Sequence, residues 1–197
     1  MYTIGLSGQT GAGKSLAAEL LSKHGYGENI EVDSIGHILL TKKETKQQLK
    51  NSFGNTIFDE NGEVIRKELG RIAFSSIENT EKLNSIMHPA MVEMITKYIQ
   101  EKDAQGEKYI IINAALLFKM GLDKLCNKIL YISASPETRL KRLTENRGMT
   151  KEAAISRLNS QDKIPDQTNN KIVIIKNEGN IKDLENVIIS SLQNKHK

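Results

Sequence analysis

The sequence predicts an α/β doubly wound fold on five parallel strands. Three observations carry that prediction: short apolar runs without alternation, helical periodicities between them, and a glycine-rich corner directly after the first run. The runs are residues 2–6, 29–32, 109–112, 129–132 and 172–175. Parallel strands covered by helices on both faces read this way, because neither face needs polar residues.

The glycine-rich corner is "GQTGAGKS", residues 8–15, which fits G-x-x-x-x-G-K-S with Gly8 and Gly13 as the fixed glycines. Leu16, Ala17, Leu20 and Leu21 follow at helical spacing, so the order is strand, loop, helix. Glycines let the backbone fold tightly enough for successive N–H groups to face one anion, and the helix N-terminus adds positive potential. The backbone of Gly11, Ala12, Gly13, Lys14, Ser15 and Leu16 is therefore the candidate phosphate cradle. Lys14 is placed to reach the β- and γ-phosphates of a nucleotide, and the Ser15 hydroxyl to hold Mg²⁺. This is a Walker A loop.

With 197 residues the chain fits one large domain and needs no second core. Its 28 basic residues against 24 acidic ones give a mild positive excess, which suits small polyanions better than a nucleic-acid surface. The basic residues are scattered, apart from the group Lys42, Lys43 and Lys46 and the tail at residues 195–197. Cys126 is the single cysteine and has no metal-binding neighbours in sequence, so a buried structural thiol is expected. The opening "MYTIGLSG" lacks a basic segment with a long apolar run, and "YIIINAALLF" is too short to span a bilayer. The expectation is a cytoplasmic protein without membrane or nucleic-acid partners, acting as a monomer or small homo-oligomer.

The second and third strands are separated by about 75 residues, far more than one crossover helix requires. "FDENGEV" supplies a turn at Asn61-Gly62, and two helices follow. The second carries Leu83, Met87, Met91, Met94, Ile95 and Tyr98 at three- and four-residue spacing, a stripe that reads as core. Pro89 is expected to start a new segment and to displace His88 from helical geometry, breaking the long helix at "HP". Residues 34–105 thus read as a helical insertion within a single domain spanning 1–197, facing the edge where ligands of such sheets bind.

A second irregular region, 139–168, reads as a lid. Ser135-Pro136-Glu137 is a helix start that sets Arg139 and Arg142 on one face, with Arg147 just past the helix end. Thr150 starts another helix carrying Arg157 and Gln161, closed by Pro165.

Phosphate loops serve GTPases, ATP-driven machines and small-molecule kinases. The guanine-reading N-K-x-D is missing, since "NKIL" and "NKIV" both lack the aspartate, and "YIIIN" ends in Asn113 where an ATPase would carry an acid. A kinase needs a carboxylate near the acceptor, arginines for the transferring phosphoryl group, and a lid that excludes water. Asp33, at the end of the second strand, can accept the acceptor's proton or orient a metal-bound water; the competing role is a cap on a helix beginning near Ser34. Arg139, Arg142 and Arg147 supply the arginines, or else a solvated helix face.

With these residues assembled, the chain resembles the dephospho-coenzyme A kinases over nearly its whole length. The matching pieces are "GLSGQTGAGKS", "VDSIGH", "FGNTIFDENGEVIRKELGRIAF", "LNSIMHP", "AALLFKMGLDKLC", "SPETRLKRLTENRGMTKEAAISRLNSQ" and "IIKNEG". The resemblance implies a P-loop fold of the nucleoside-monophosphate-kinase type, ATP and Mg²⁺, and transfer of the γ-phosphoryl group to the ribose 3′-hydroxyl of dephospho-CoA. By the same resemblance Asp33 is the general base, Lys14 and Ser15 contact phosphate and Mg²⁺, Arg142 and Arg147 are lid arginines, and Asn177 lies near the adenine. His37 stands where the family often has Arg, and His88 matches its His-Pro, as a substrate contact or a buried structural histidine. Two positions depart from the family pattern, Ala115 and Lys119, where Pro and Glu are usual. The alternative reading is a kinase of another nucleoside or nucleotide, and beyond the enzymes a nucleotide-dependent binding protein.

Overall fold

The computed structural model describes residues 1–159, 165 and 170–193. Gln161, most of the stretch between Asn159 and Asn170, and the basic tail at 195–197 lie outside the described residues. In chain order the elements are β1 (Tyr2–Gly8), α1 (Lys14–Lys23), β2 (Glu28–Glu31), α2 (Val32–Leu39), α3 (Lys43–Phe53), α4 (Arg66–Ala73), α5 (Ile77–Ala104), β3 (Tyr109–Asn113), β4 (Lys128–Ser133), α6 (Pro136–Lys141), α7 (Lys151–Asn159), β5 (Ile172–Lys176) and α8 (Ile181–Gln193). They fall into two compact units, Met1–Ile30 with Lys102–Lys197, and Glu31–Glu101.

The first unit holds the sheet. Its five strands are parallel in the order β2-β3-β1-β4-β5, so the chain runs from the central β1 out to β2 at one edge and then returns through β3 and past β1 to β4 and β5. In register, Ile4 lies opposite Ile111, and Leu6 opposite both Asn113 and Leu130. On one face Ile4, Leu6, Ile111, Leu130, Ile132 and Ile175 pack against Ala17, Leu20 and Leu21 of α1 and Leu184, Ile188 and Leu192 of α8. The two helices present these residues because positions three and four apart share a side. Each fully buried Leu or Ile contributes roughly 1.5–3 kcal/mol of hydrophobic stabilisation. Gly5 points to the other face, where a Cβ would lie 2.8 Å from Cys126 Sγ and 3.1 Å from Leu117. Cys126 is the buried structural thiol expected: its Sγ–H donates to Leu122 O at 3.3 Å, and burial foremost pushes its pKa up to about 12.

The strand boundaries follow the apolar runs, with one correction. Val32 is not the end of β2 but the first residue of α2, with Glu31 as the flanking residue. Val32, Ile35 and Leu39 repeat at helical spacing and are buried together, so burial of that stripe decides the element.

The second unit is helical. Leu49 of α3, Ile57, and Leu69 and Ala73 of α4 form its core, flanked by partly buried Phe53, Phe58 and Val64. The expected turn at Asn61-Gly62 is present. Asp59 Oδ1 accepts from the N–H groups of Asn61 at 2.9 Å and Glu63 at 2.8 Å, and Gly62 takes a φ of 75° that a side chain would oppose. Side chains from the start of α5 satisfy the last carbonyls of α4: Thr80 Oγ1 donates to Ala73 O at 2.9 Å and Asn79 Nδ2 to Ile72 O at 3.2 Å.

The expected break at His88-Pro89 is absent. Helix α5 runs for 28 residues with Pro89 inside it, so His88 keeps helical geometry. Proline removes one backbone donor, but Met87 and Met91 on either side of it, and Ile95 one turn on, are buried on the same stripe. Packing on both sides of the proline holds the helix through the missing bond. The methionine stripe is thus core, as its spacing predicted.

Candidate active site

The phosphate loop joins β1 to α1 in the first unit. Gly8 is held against β4: its added Cβ would lie 2.4 Å from Ile132 O, so only glycine permits this approach. Gly13 flanks the start of α1 with a φ of 100°, in the left-handed region. The first intrahelical bond runs from Ala17 N–H to Gly13 O at 3.1 Å, so the N–H groups of Lys14, Ser15 and Leu16 precede the ladder at the positive end of the helix. Ala12 is buried, Lys14 is partly buried and Ser15 is exposed.

Lys14 Nζ donates to Asn113 Oδ1, and Asn113 is buried at the end of β3. The residue that argues against an ATP-hydrolysing machine therefore steers the loop lysine, with a neutral oxygen where an acid would pair more strongly. The sequence signal was there, a polar residue ending a central strand beside the loop, but its partner was not legible.

Asn177 and Arg142 meet the same loop. Asn177 is buried, and its Nδ2 donates to Ala12 O at 2.7 Å. Arg142 donates through Nη2 to Asn177 O at 3.0 Å and through Nη1 to Ala12 O at 3.3 Å. Helix α6, which leads into Arg142, starts as expected, with Ser135 Oγ accepting from Thr138 N–H at 3.2 Å and Pro136 in the first turn. Glu178 braces that start: it accepts from Thr138 Oγ1 at 2.7 Å and from the Ser135 N–H, and these bonds, the Thr138 hydroxyl first, hold its carboxyl below the usual range. Sequence reasoning did not find Glu178.

Arg139 is a correction. It is only 6% exposed, its Nε donates to Ala134 O at 3.1 Å, and its backbone packs on Gly11, so it is part of the support under the loop and no solvent-facing lid group. Arg142 begins a wide π-type turn, Arg142–Asn146, and Arg147 follows it exposed. Thr150 caps α7, accepting from Ala153 N–H at 3.2 Å.

In the second unit Asp33 and His37 are both exposed and lie one helical turn apart on α2, opposite the buried Val32, Ile35 and Leu39. The cap reading of Asp33 is overturned: the helix begins at Val32, and Asp33 stands inside its first turn. His88 is half-buried, and burial pushes its imidazole below the ordinary value. A group with a lowered folded pKa leaves the unfolded chain holding more protons, so stability falls as pH drops through the ordinary imidazole range near 6.5. Melting curves at pH 5 and pH 7 check this: His88→Gln is expected to lose less stability on acidification than the unaltered chain, and equal losses contradict it.

Among the described residues no group of three or more His, Cys, Asp or Glu could hold a metal ion, and no helix is long and apolar enough to cross a membrane. A divalent ion here would arrive with the nucleotide, and the exposed Ser15 hydroxyl is the loop oxygen suited to it.

Residues 2–183 match the family model described as dephospho-CoA kinase. A dephospho-CoA kinase of Corynebacterium glutamicum is 36% identical, with 94% of this chain and 95% of the relative covered. That of Fusobacterium nucleatum is 34% identical over 92% of each chain. The solved structure of dephospho-CoA kinase from Campylobacter jejuni superposes with a TM-score of 0.63 at 25% identity, covering 97% of this chain and 95% of that one.

Proposed function

The chain belongs to the dephospho-CoA kinase family, and on that premise we propose that it carries the γ-phosphoryl group of ATP to the ribose 3′-hydroxyl of dephospho-CoA through the residues described above. It is a phosphotransferase, and ATP is the phosphoryl donor. The observation that carries the residue assignment is the loop itself, with Lys14 at the start of α1 and its ammonium fixed on Asn113.

In this reading the loop N–H groups and Lys14 hold the β- and γ-phosphates and offset the charge that builds on the bridging oxygen as its bond to the γ-phosphorus breaks. Mg²⁺, with Ser15 as its protein ligand, supplies further charge neutralisation when bound. Asp33 takes the proton of the acceptor hydroxyl, whose oxygen forms the new bond to phosphorus, and ADP leaves. His37, one turn from Asp33, and His88 are assigned to the acceptor. Arg147, exposed beyond the π-type turn, is assigned to the transferring phosphoryl group, and Arg142 stays with the loop. Residues 34–105 serve as the acceptor-binding insertion and 139–168 as the lid, whose closure excludes water. Operation in the cytoplasm, as a monomer or small homo-oligomer without nucleic acid, completes the proposal.

Steady-state rates over an acceptor panel test it. Dephospho-CoA is expected to exceed AMP, adenosine and pantothenate in kcat/KM, and the truncated acceptors to lose kcat as well as affinity, because remote binding energy helps assemble the site. AMP or a nucleoside as best acceptor overturns the assignment in favour of a nucleotide kinase.

A further inference from the structure

We propose that Asn177 and Arg142 are positioning residues that aim the Gly13 N–H at the phosphates by gripping the Ala12 carbonyl. The proposal rests on the reading of residues 8–15 as a phosphate cradle. Five hydrogen bonds bring the grip about. Asn177 is anchored at the end of β5 by its own N–H, which donates to Ser133 O at 2.8 Å, so its amide is delivered by the sheet. That amide donates to Ala12 O at 2.7 Å and sits where a Cβ on Gly13 would come within 2.4 Å of it. Arg142 adds a second donor to the same oxygen at 3.3 Å, reaches Gly11 O at 3.5 Å, and is itself tied to Asn177 O at 3.0 Å.

The peptide unit between Ala12 and Gly13 is planar and trans, so its C=O and N–H point in opposite directions. Two donors holding the oxygen on one side therefore fix the N–H on the other. Glycine at position 13 makes such a hold necessary, since this peptide turns about ψ of Ala12 and φ of Gly13, and Gly13 at a φ of 100° opposes that rotation little. Asn177 and Arg142 thereby fix a loop that its own residues leave adaptable, in keeping with the general need to hold an oxyanion's donors in place before reaction. This assignment differs from a role for Asn177 in reading the base, since it gives an N–H of the side-chain amide to the Ala12 oxygen.

Asn177→Asp tests the proposal, because the change keeps the shape and puts an acceptor against the Ala12 oxygen. We expect the dissociation constant for ATP and the inhibition constant for tripolyphosphate, both measured with Mg²⁺, to rise by the same factor, tenfold or more. The KM for the acceptor should stay unchanged. Arg142→Lys, which keeps the charge and loses the planar fork, should raise both constants together by a smaller factor, and it carries the test if the first variant does not fold. Weaker ATP binding with unaltered tripolyphosphate inhibition overturns the proposal, because Asn177 then reads the base. A lower melting temperature with both constants unaltered also overturns it, leaving a merely structural contact. An unaltered chain that bound neither ligand would instead overturn the phosphate-cradle reading on which the proposal stands.

Discussion

Lys14→Ala is expected to abolish phosphoryl transfer while the chain still folds. The ammonium begins α1 and bonds Asn113 at the end of β3, so its removal takes away the one side-chain charge of the loop. Loss of one preorganised donor to developing charge lowers rates roughly a hundredfold or more. The structural cost is smaller: Asn113 loses a charged donor in a buried position, a penalty of roughly 1–3 kcal/mol. Transfer rates and a thermal melt on the same preparation separate the two effects. Activity within a few fold of the unaltered enzyme contradicts the kinase mechanism, whatever the melting temperature does.

Asp33→Asn is expected to lower kcat roughly a hundredfold or more, the usual scale for loss of a general base, with ATP binding little changed. Asp33 stands exposed in the first turn of α2, past the flanking Glu31, where its charge gains the favourable field of the helix N-terminus, about 0.3–1 kcal/mol at an exposed site. Asparagine forfeits that small contribution and also the ability to take a proton. Unaltered kcat alongside a slightly lower melting temperature would assign Asp33 to the helix and leave the reaction without the proposed base. His37 shares the exposed side of α2, so the pH profile of the Asp33→Asn variant also shows whether an imidazole takes over.

The parts of the fold legible in the sequence were those whose signal is local and repeated. Strand β1 is buried from Thr3 to Ser7 without alternation because both its faces are covered, and residues 8–15 spell a loop whose glycines are dictated by close approach and backbone sign. The start of α6 was legible for the same reason, since Ser135 and Pro136 act within one turn. Pro89 misled because a local rule met a tertiary one: the buried stripe of Met87, Met91 and Ile95 outweighs a single lost backbone bond. Asp33 misled by two residues, since capping preference alone cannot weigh the burial of Val32. The supports of the phosphate loop were illegible. Asn177 grips Ala12 across 165 residues of chain and Lys14 reaches Asn113 across 99, and nothing in either neighbourhood announces the other. Arg139 shows the converse, an arginine three residues from Arg142 on the same helical spacing and yet buried beneath the loop.

The central claim is that the chain moves phosphate to one particular oxygen of one acceptor. Incubation with Mg-ATP and dephospho-CoA, followed by fragmentation mass spectrometry of the product and parallel measurement of ADP, tests it most directly. The account predicts one ADP for each acceptor phosphorylated, with the new phosphate on the ribose 3′-hydroxyl. ADP released with free phosphate and unaltered acceptor, or a phosphate on any other position, would contradict it.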